Sequence, residues 1–219
     1  MNAIVKFKGG LGNQLFQYAF GKYLKKQGYK VAYNAGLYKK HKQRKPRLPY
    51  IINVEIPLTD QKPTHDDYWH DLKYTEPVRD EIISELNPAE EKDLIAIHVR
   101  RGDYVVHPKY VNLGFDYYDK AYNLVTQMFG PKKTLVFSDD PGWCRENIIY
   151  PDTEIIDEKD YVCFDMIRGC RYKVTANSTF SWWAAYASEG EVVTPEKWRL
   201  DDRQTAFVEA AIPKGWRRI

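Results

Sequence analysis

The stretch that decides the fold is residues 94–104, LIAIHVRRGDY, in which an apolar run ends in a cluster of charged side chains. The apolar run indicates a buried strand, which we place at residues 94–99. In open α/β sheets, ligands bind in the crevice beyond the carboxyl ends of the strands, so these charges lie where a ligand would be met. Paired arginines suit a diphosphate, because each guanidinium is a planar, permanently charged fork of donors. The stretch therefore predicts an α/β protein that binds a nucleotide-activated substrate.

After this stretch the sequence alternates regularly between strand and helix patterns. Such alternation indicates a parallel sheet covered by helices on both faces. We predict strands at 134–137, 154–156, 172–176 and 191–194, and helices at 116–129, 142–148, 161–170 and 179–188.

Before it, the pattern is strong only near the N-terminus. We predict a strand at 4–7, a glycine-rich turn at 9–13, a helix at 14–27 and a strand at 31–33. Residues 34–88 are interrupted by prolines and favour one helix, at 78–86. The change of texture near residues 88–93 predicts two lobes, 1–90 and 91–219, each in the size range of a small domain.

Composition excludes several classes of protein. The 219 residues are 43% hydrophobic and 15% aromatic, which is ample for a folded core. A net charge of +3 gives no reason to expect nucleic acid as a partner. The basic run at 39–47 is typical of a solvated loop, and a peripheral contact with anionic lipid is left open.

The cysteines and the N-terminus bear on location. Cys144, Cys163 and Cys170 lack metal or disulfide spacing, so we predict three buried thiols in a reducing compartment. The N-terminus has no apolar leader pattern, and no stretch approaches membrane-spanning length. We therefore expect a cytoplasmic protein.

Three loops follow predicted strands and should open on one edge of a parallel sheet. They are 98–103, 138–140 with Asp139, and 177–179. Ser178 or Thr179 can cap the next helix, whose free N–H groups would face an anion, although an ordinary N-cap explains the same residues. If the strand continued through both arginines, Arg100 and Arg101 would point to opposite faces.

We place Arg100 toward the crevice and pair Arg101 with Asp103 in a structural ion pair. His98 has two interpretations of equal weight. It is either a core histidine with both nitrogens hydrogen-bonded, or a group that binds a base or ribose.

The glycine cluster near the N-terminus does not complete a dinucleotide fingerprint. Gly10 and Gly12 lack the third glycine, and no acid follows to hold a ribose, which disfavours an NAD enzyme. The glycines permit close approach of backbone to a ligand, with Asn13 and Gln14 placed to hydrogen-bond it. No metal-binding, Walker A or serine-elbow motif occurs, so we predict no metal site.

Four blocks of this sequence resemble family 11 glycosyltransferases, the inverting α-1,2-fucosyltransferases. The blocks are residues 9–20 (GGLGNQLFQYAF), 98–104 (HVRRGDY), 137–144 (FSDDPGWC) and 177–183 (NSTFSWW). The resemblance implies a GT-B-like α/β fold of two Rossmann-type lobes with parallel sheets. The C-terminal lobe would bind GDP-L-fucose without metal or other cofactor, and the N-terminal lobe, on the acceptor side, is reduced.

The resemblance also implies roles for individual residues. Arg100 would bind the β-phosphate, Ser178 with Thr179 the phosphates, and His98 with Asp165 the guanosine end. A plain alternative for Asp165 is an acid in the first turn of a helix, favoured by the dipole.

The resemblance implies transfer of fucose to the 2-hydroxyl of a galactose-containing glycan. Asp103 is a candidate general base, although a weak base or a phosphate oxygen could suffice if the reaction is strongly dissociative. Two alternatives stay open: a GDP-sugar- or glycan-binding protein of the same fold with little activity, and a Rossmann-type NAD enzyme.

Overall fold

A computed structural model describes residues 1–40 and 47–219 of the chain. Most of the basic run predicted as a loop therefore lies outside the described residues. The described chain divides into two compact units, 1–88 and 89–219, close to the boundary expected after residue 90. The acceptor and donor roles given to these units stay predictions.

The N-terminal unit contains a three-stranded parallel sheet in the order β1-β2-β3. Helix α1 lies against this sheet and is buried along most of its length. The third strand has only two residues and was not predicted. The elements are β1 (Asn2–Lys6), α1 (Leu11–Lys26), β2 (Lys30–Asn34), α2 (Gly36–Lys40), β3 (Leu58–Thr59), α3 (Leu72–Thr75) and α4 (Arg79–Glu85), with short 3-10 turns at Leu48–Tyr50 and Glu76–Val78.

The C-terminal unit contains a six-stranded sheet in which every neighbouring pair is parallel. The strands and helices predicted for this unit are present, with ends that differ from the prediction by no more than two residues, whereas the last helix and the last strand were not predicted. The elements are β4 (Lys92–Val99), a 3-10 turn (Gly102–Val105), α5 (Phe115–Phe129), β5 (Thr134–Ser138), α6 (Pro141–Asn147), β6 (Thr153–Ile156), α7 (Asp160–Arg168), β7 (Cys170–Val174), α8 (Thr179–Tyr186), β8 (Glu191–Thr194), α9 (Gln204–Ala211) and β9 (Arg217–Arg218).

The order of these six strands is β6-β5-β4-β7-β8-β9. Counted from β4, this is 3-2-1-4-5-6, the order of the Rossmann fold, and the direction of winding reverses between β4 and β7. The last five residues of β4 are buried, as expected for a central strand covered on both faces. The predicted α/β class, with parallel sheets in two units, is confirmed.

The core of the C-terminal unit forms where α5 packs on the sheet. The buried side chains of α5 are Tyr118, Ala121, Tyr122 and Val125, which share one face at helical spacing. They join Ile97 and other strand residues in one apolar cluster. This cluster fixes the strands whose ends carry the candidate site.

Candidate functional site

The three predicted loops do lie at one edge of the six-stranded sheet. Strand β4 pairs in parallel with β5 and with β7, so that His98 aligns with Phe137 and Ile97 with Val174. The loops that follow these strands therefore leave the sheet on the same side. The ring centroids of His98 and Phe180 are 5.2 Å apart, which brings the end of β4 against the start of α8.

Arg100 is held by two carboxylates and one aromatic ring. Its Nη1 lies 2.7 Å from Oδ2 of Asp139, and its Nη2 donates to Oδ1 of Asp103. The guanidinium carbon lies 5.1 Å from the centre of the Tyr104 ring, within range of a cation–π interaction. Both terminal nitrogens of Arg100 therefore face acids, and the side chain remains about one-third exposed at 32%.

The predicted ion pair between Arg101 and Asp103 is wrong. Nε of Arg101 instead donates to Oδ2 of Asp140 at 3.2 Å, and its guanidinium lies 4.2 Å from the centre of the Trp143 ring. The strand ends before the arginines, at Val99, and the chain turns into a 3-10 helix at Gly102–Val105. This turn brings Asp103 back to Arg100, three residues earlier.

Asp139 fixes the turn after β4. Its Oδ1 accepts a hydrogen bond from the backbone N–H of Arg101 at 2.9 Å, while Oδ2 faces Arg100. Gly102 lies directly against this carboxylate, with φ at +21°, and a Cβ there would overlap Oδ2 of Asp139. Only glycine allows so close an approach.

Ser178, one of the two residues predicted as a possible cap, is the N-cap of α8. Its side-chain oxygen accepts a hydrogen bond from the backbone N–H of Phe180 at 3.3 Å, and Thr179 is the first helical residue. Asn177, for which no separate role was predicted, holds this loop in place. Its Nδ2 donates to the carbonyls of Val111 and Trp198 at 2.8 and 3.0 Å.

His98 is the second-last residue of β4, at the same edge of the sheet, and is only 8% exposed. Its Nδ1 is buried and has no hydrogen-bond partner in the described part of the chain. The interpretation as a core histidine with both nitrogens satisfied is therefore wrong. Burial first, and then the positive charge of Arg100, lowers the pKa of His98 to about 3, so the ring is neutral near pH 7.

Asp165 lies in the interior of α7, so its interpretation as a first-turn acid is wrong. Its Oδ1 accepts from Nη1 of the buried Arg168 at 3.1 Å. Nε of Arg168 in turn donates to the carbonyl of Ala187, just after α8, at 3.3 Å. Helices α7 and α8 also pack directly, with the rings of Phe164 and Phe180 5.9 Å apart. The predicted contact of Asp165 with guanosine stays a prediction.

The predicted ligand groups of the glycine-rich segment lie in the N-terminal unit. Gly10 precedes α1, and Gly12 is buried in its first turn. Oδ1 of Asn13 lies 2.9 Å from Nε2 of His70. Gln14 is fully buried; its Nε2 donates to the carbonyl of Gly9, and its Oε1 accepts from the N–H groups of residues 47 and 48. These contacts shape the segment, and its ligand-binding role stays a prediction.

The cysteines and the paired tryptophans belong to the core. Cys144, Cys163 and Cys170 are buried free thiols, as predicted, and burial raises the pKa of Cys163 and Cys170 to about 11. Trp182 and Trp183 are both almost fully buried. Among the described residues, no group of three or more His, Cys, Asp or Glu side chains could hold a metal ion. Residues 1–40 and 47–219 include no helix long and apolar enough to cross a membrane.

Comparison with known proteins identifies relatives of this chain. The sequence model of Glycosyl transferase family 11 matches residues 68–219. The O-antigen biosynthesis glycosyltransferase WbnK of Escherichia coli is 34% identical over 50% of this chain and 40% of that protein. An alpha-1,2-colitosyltransferase of Escherichia coli is 30% identical over 57% of this chain and 47% of its own length.

A galactoside alpha-(1,2)-fucosyltransferase 2 of Rattus norvegicus is 28% identical over 60% of this chain and 41% of that enzyme. The chain thus matches less than half the length of each of these three relatives. Among solved structures, a glycosyl transferase family 9 protein of Veillonella parvula has a TM-score of 0.47 at 10% identity, covering 88% of this chain and 80% of that one.

Proposed function

Because the chain belongs to glycosyl transferase family 11, we propose that it transfers L-fucose from GDP-L-fucose to the 2-hydroxyl of a galactose-containing glycan. The transfer inverts the configuration at C1 and needs no metal. The names of the relatives support the proposal, since they include α-1,2-fucosyl and α-1,2-colitosyl transfer.

One observation carries the proposal: a cation, a capped helix start and an unpaired imidazole nitrogen meet where the sheet reverses its winding. Arg100 follows β4, Ser178 follows β7, and these strands flank the reversal. Ligands of open α/β sheets bind at this point. A guanidinium and the N–H groups of a helix start both favour phosphate oxygens. The neutral His98, with its buried and unpaired Nδ1, lies at the end of β4 against Phe180 of α8.

In the proposed reaction the oxygen of the acceptor hydroxyl attacks C1 of fucose as the bond from C1 to the β-phosphate oxygen breaks. GDP leaves with the bonding electron pair, and its negative charge grows in the transition state. Arg100 and the amino end of α8 stabilise that charge, which is the main electrostatic task of such a site. A carboxylate, for which Asp103 is the candidate, takes the proton of the hydroxyl.

A second candidate function is binding of a GDP-sugar or a glycan with little transfer. The small sheet of the N-terminal unit favours it, because the described residues of that unit, 1–40 and 47–88, form a sheet of three strands, the last with two residues. An acceptor site would have less scaffold there than the donor site has in the six-stranded unit. A protein that only binds a GDP-sugar would share the nucleotide affinity of the transferase and lack its turnover.

The test compares GDP affinity by calorimetry, and transfer from GDP-fucose to a galactoside, in the wild type, Arg100→Ala and Arg101→Ala. Each variant loses one positive charge from neighbouring positions, so they are matched controls. A hydrogen bond to a charged group contributes ~1.5–3 kcal/mol. We therefore expect Arg100→Ala to weaken GDP binding by at least tenfold, and Arg101→Ala to weaken it much less.

Each outcome is informative. Equal affinities of the two variants for GDP would contradict the placement of the diphosphate at Arg100. Saturable GDP binding without transfer to any galactoside would favour the second candidate. Parallel reactions with other GDP-linked sugars, and with a chelator present, test the identity of the sugar and the independence from metal.

A further inference from the structure

Both terminal nitrogens of Arg100 already contact carboxylates. Nη1 faces Asp139 and Nη2 faces Asp103. A diphosphate that binds Arg100 through these two nitrogens therefore competes with the two acids for them. The two carboxylates differ in how firmly they are held, and that difference identifies the one that leaves.

Asp139 is anchored. It binds the backbone N–H of Arg101 as well as the side chain of Arg100, is only 29% exposed, and packs against Gly102. Removing it would take away the hydrogen-bond partner of the Arg101 N–H and loosen the turn. Asp139 therefore stays and orients the guanidinium.

Asp103 is held only loosely. Its side chain is 62% exposed, and its ion pair with Arg100 is the contact that the structure assigns to it. It belongs to the 3-10 turn Gly102–Val105, in which no residue is buried. Val105 at the end of the turn and Val106 after it are 44% and 84% exposed. A segment with so little buried surface moves at low cost.

We propose that the Asp103 carboxylate occupies the phosphate position of Arg100 and that the donor diphosphate displaces it. The inference rests on the proposed function, because it needs an anionic donor at Arg100. An exposed ion pair is weak, whereas an arginine–phosphate contact is charge-assisted and bidentate, so the exchange favours the diphosphate.

The exchange has a consequence for the order of events. While Asp103 is bound to Arg100, its Oδ1 is engaged by the guanidinium. Displacement by the donor frees this carboxylate beside the departing phosphate, where it can accept the proton of the acceptor hydroxyl. Donor binding thereby activates the base, and the acceptor reacts only after the donor is in place.

The test measures the affinity for GDP of Asp103→Asn and Asp103→Ala by calorimetry. Removing a competing anion should strengthen binding, and an exposed pair contributes up to about 1 kcal/mol, so we expect a Kd lowered about two- to fivefold. The gain should shrink at high salt, which screens exposed charges. Transfer by both variants should fall, because the freed base is missing.

Asp93→Asn is the matched control. Asp93 is 57% exposed and pairs at 2.9 Å with a single cation, Lys132, near the amino end of the same strand, on the edge opposite the site. The substitution Asp93→Asn removes one negative charge from the C-terminal unit, as the Asp103 substitutions do. The affinity of this variant for GDP should equal that of the wild type. Thermal midpoints of all variants establish that each is folded.

The outcomes separate this inference from the proposed function. If the wild type binds GDP and both Asp103 variants bind it equally or more weakly, the exchange is wrong and the proposed function stands. If Asp93→Asn binds GDP more tightly by the same factor, the exchange is also wrong, since the effect would then come from overall charge. Failure of the wild type to bind GDP would contradict the proposed function itself.

Discussion

The buried His98 predicts a specific dependence of stability on pH. Its pKa is about 3 in the folded chain, against 6.5 for an exposed histidine. Between these values the unfolded chain binds a proton at this site and the folded chain does not, so stability rises with pH across that range. The stability is fully present above pH 6.5 and decreases as the pH falls toward 3. Replacing His98 by a residue that does not titrate should remove this slope.

The magnitude follows from the two pKa values. Between pH 7 and pH 5, protonation of the unfolded chain at this site removes about 2 kcal/mol of stability. Each full pH unit below the pKa of the unfolded chain lowers the free energy of unfolding by ~1.36 kcal/mol. The wild type should therefore lose about 2 kcal/mol more than the variant over this interval. Other titrating groups are common to both proteins and cancel in the difference.

The assay is urea unfolding of the wild type, His98→Leu and His98→Gln at pH 8, 7 and 5, followed by tryptophan fluorescence. Either substitution changes packing, but that change is present at every pH. The quantity compared is thus the loss of unfolding free energy on acidification, and not its absolute value. Parallel losses in the wild type and both variants would refute the assignment of His98 as a buried neutral base.

Three further predictions concern single contacts. Gly102→Ala should weaken GDP binding at least tenfold, because the added Cβ displaces the carboxylate of Asp139. Gly114→Ala, whose added Cβ would contact no other atom, should leave GDP binding unchanged. Titration calorimetry measures both affinities. Ser178→Ala should lower the free energy of unfolding by ~1 kcal/mol through loss of the helix cap, whereas Ser178→Asp keeps the cap, as urea midpoints can establish. Lys22→Met should destabilise the N-terminal unit by ~3–5 kcal/mol, because this buried ammonium lies 2.6 Å from the carboxylate of Glu85; an unchanged thermal midpoint would contradict it.

The sequence predicts the C-terminal unit well because its elements bury complete faces. Strand β4 is a continuous apolar run, and α5 places its buried side chains three and four residues apart, so the period of each pattern reports the element directly. The loops between such elements follow from parallel pairing alone. For this reason the meeting of Arg100 and Ser178 at one edge could be predicted without coordinates.

Short edge strands could not be predicted. Strand β9 consists of Arg217 and Arg218, both exposed, and β3 consists of Leu58 and Thr59. Two residues carry no periodicity, and these strands exist because a neighbouring strand supplies their hydrogen-bond partners. That information is tertiary and is absent from the local sequence.

The partners of the charged residues could not be predicted either. Proximity in sequence favoured a pair between Arg101 and Asp103, whereas the structure pairs Arg101 with Asp140, from the loop after β5. The decisive event is the 3-10 turn at Gly102, which reverses the direction of the chain within a few residues. The first-turn interpretation of Asp165 failed for a local reason, since α7 begins at Asp160 and Asp165 is its sixth residue.

The spacing of the three loops links recognition to folding. In the sequence, 39 positions separate Arg100 from Asp139, and another 39 separate Asp139 from Ser178. The parallel pairing of β4 with β5 and β7 brings their loops to one edge of the sheet. No fragment that lacks one of these strands can assemble the constellation, and pairings of such long range form late and slowly. A nucleotide that binds there would therefore stabilise the whole six-stranded unit by mass action, and its thermal shift would report the cooperativity of that unit.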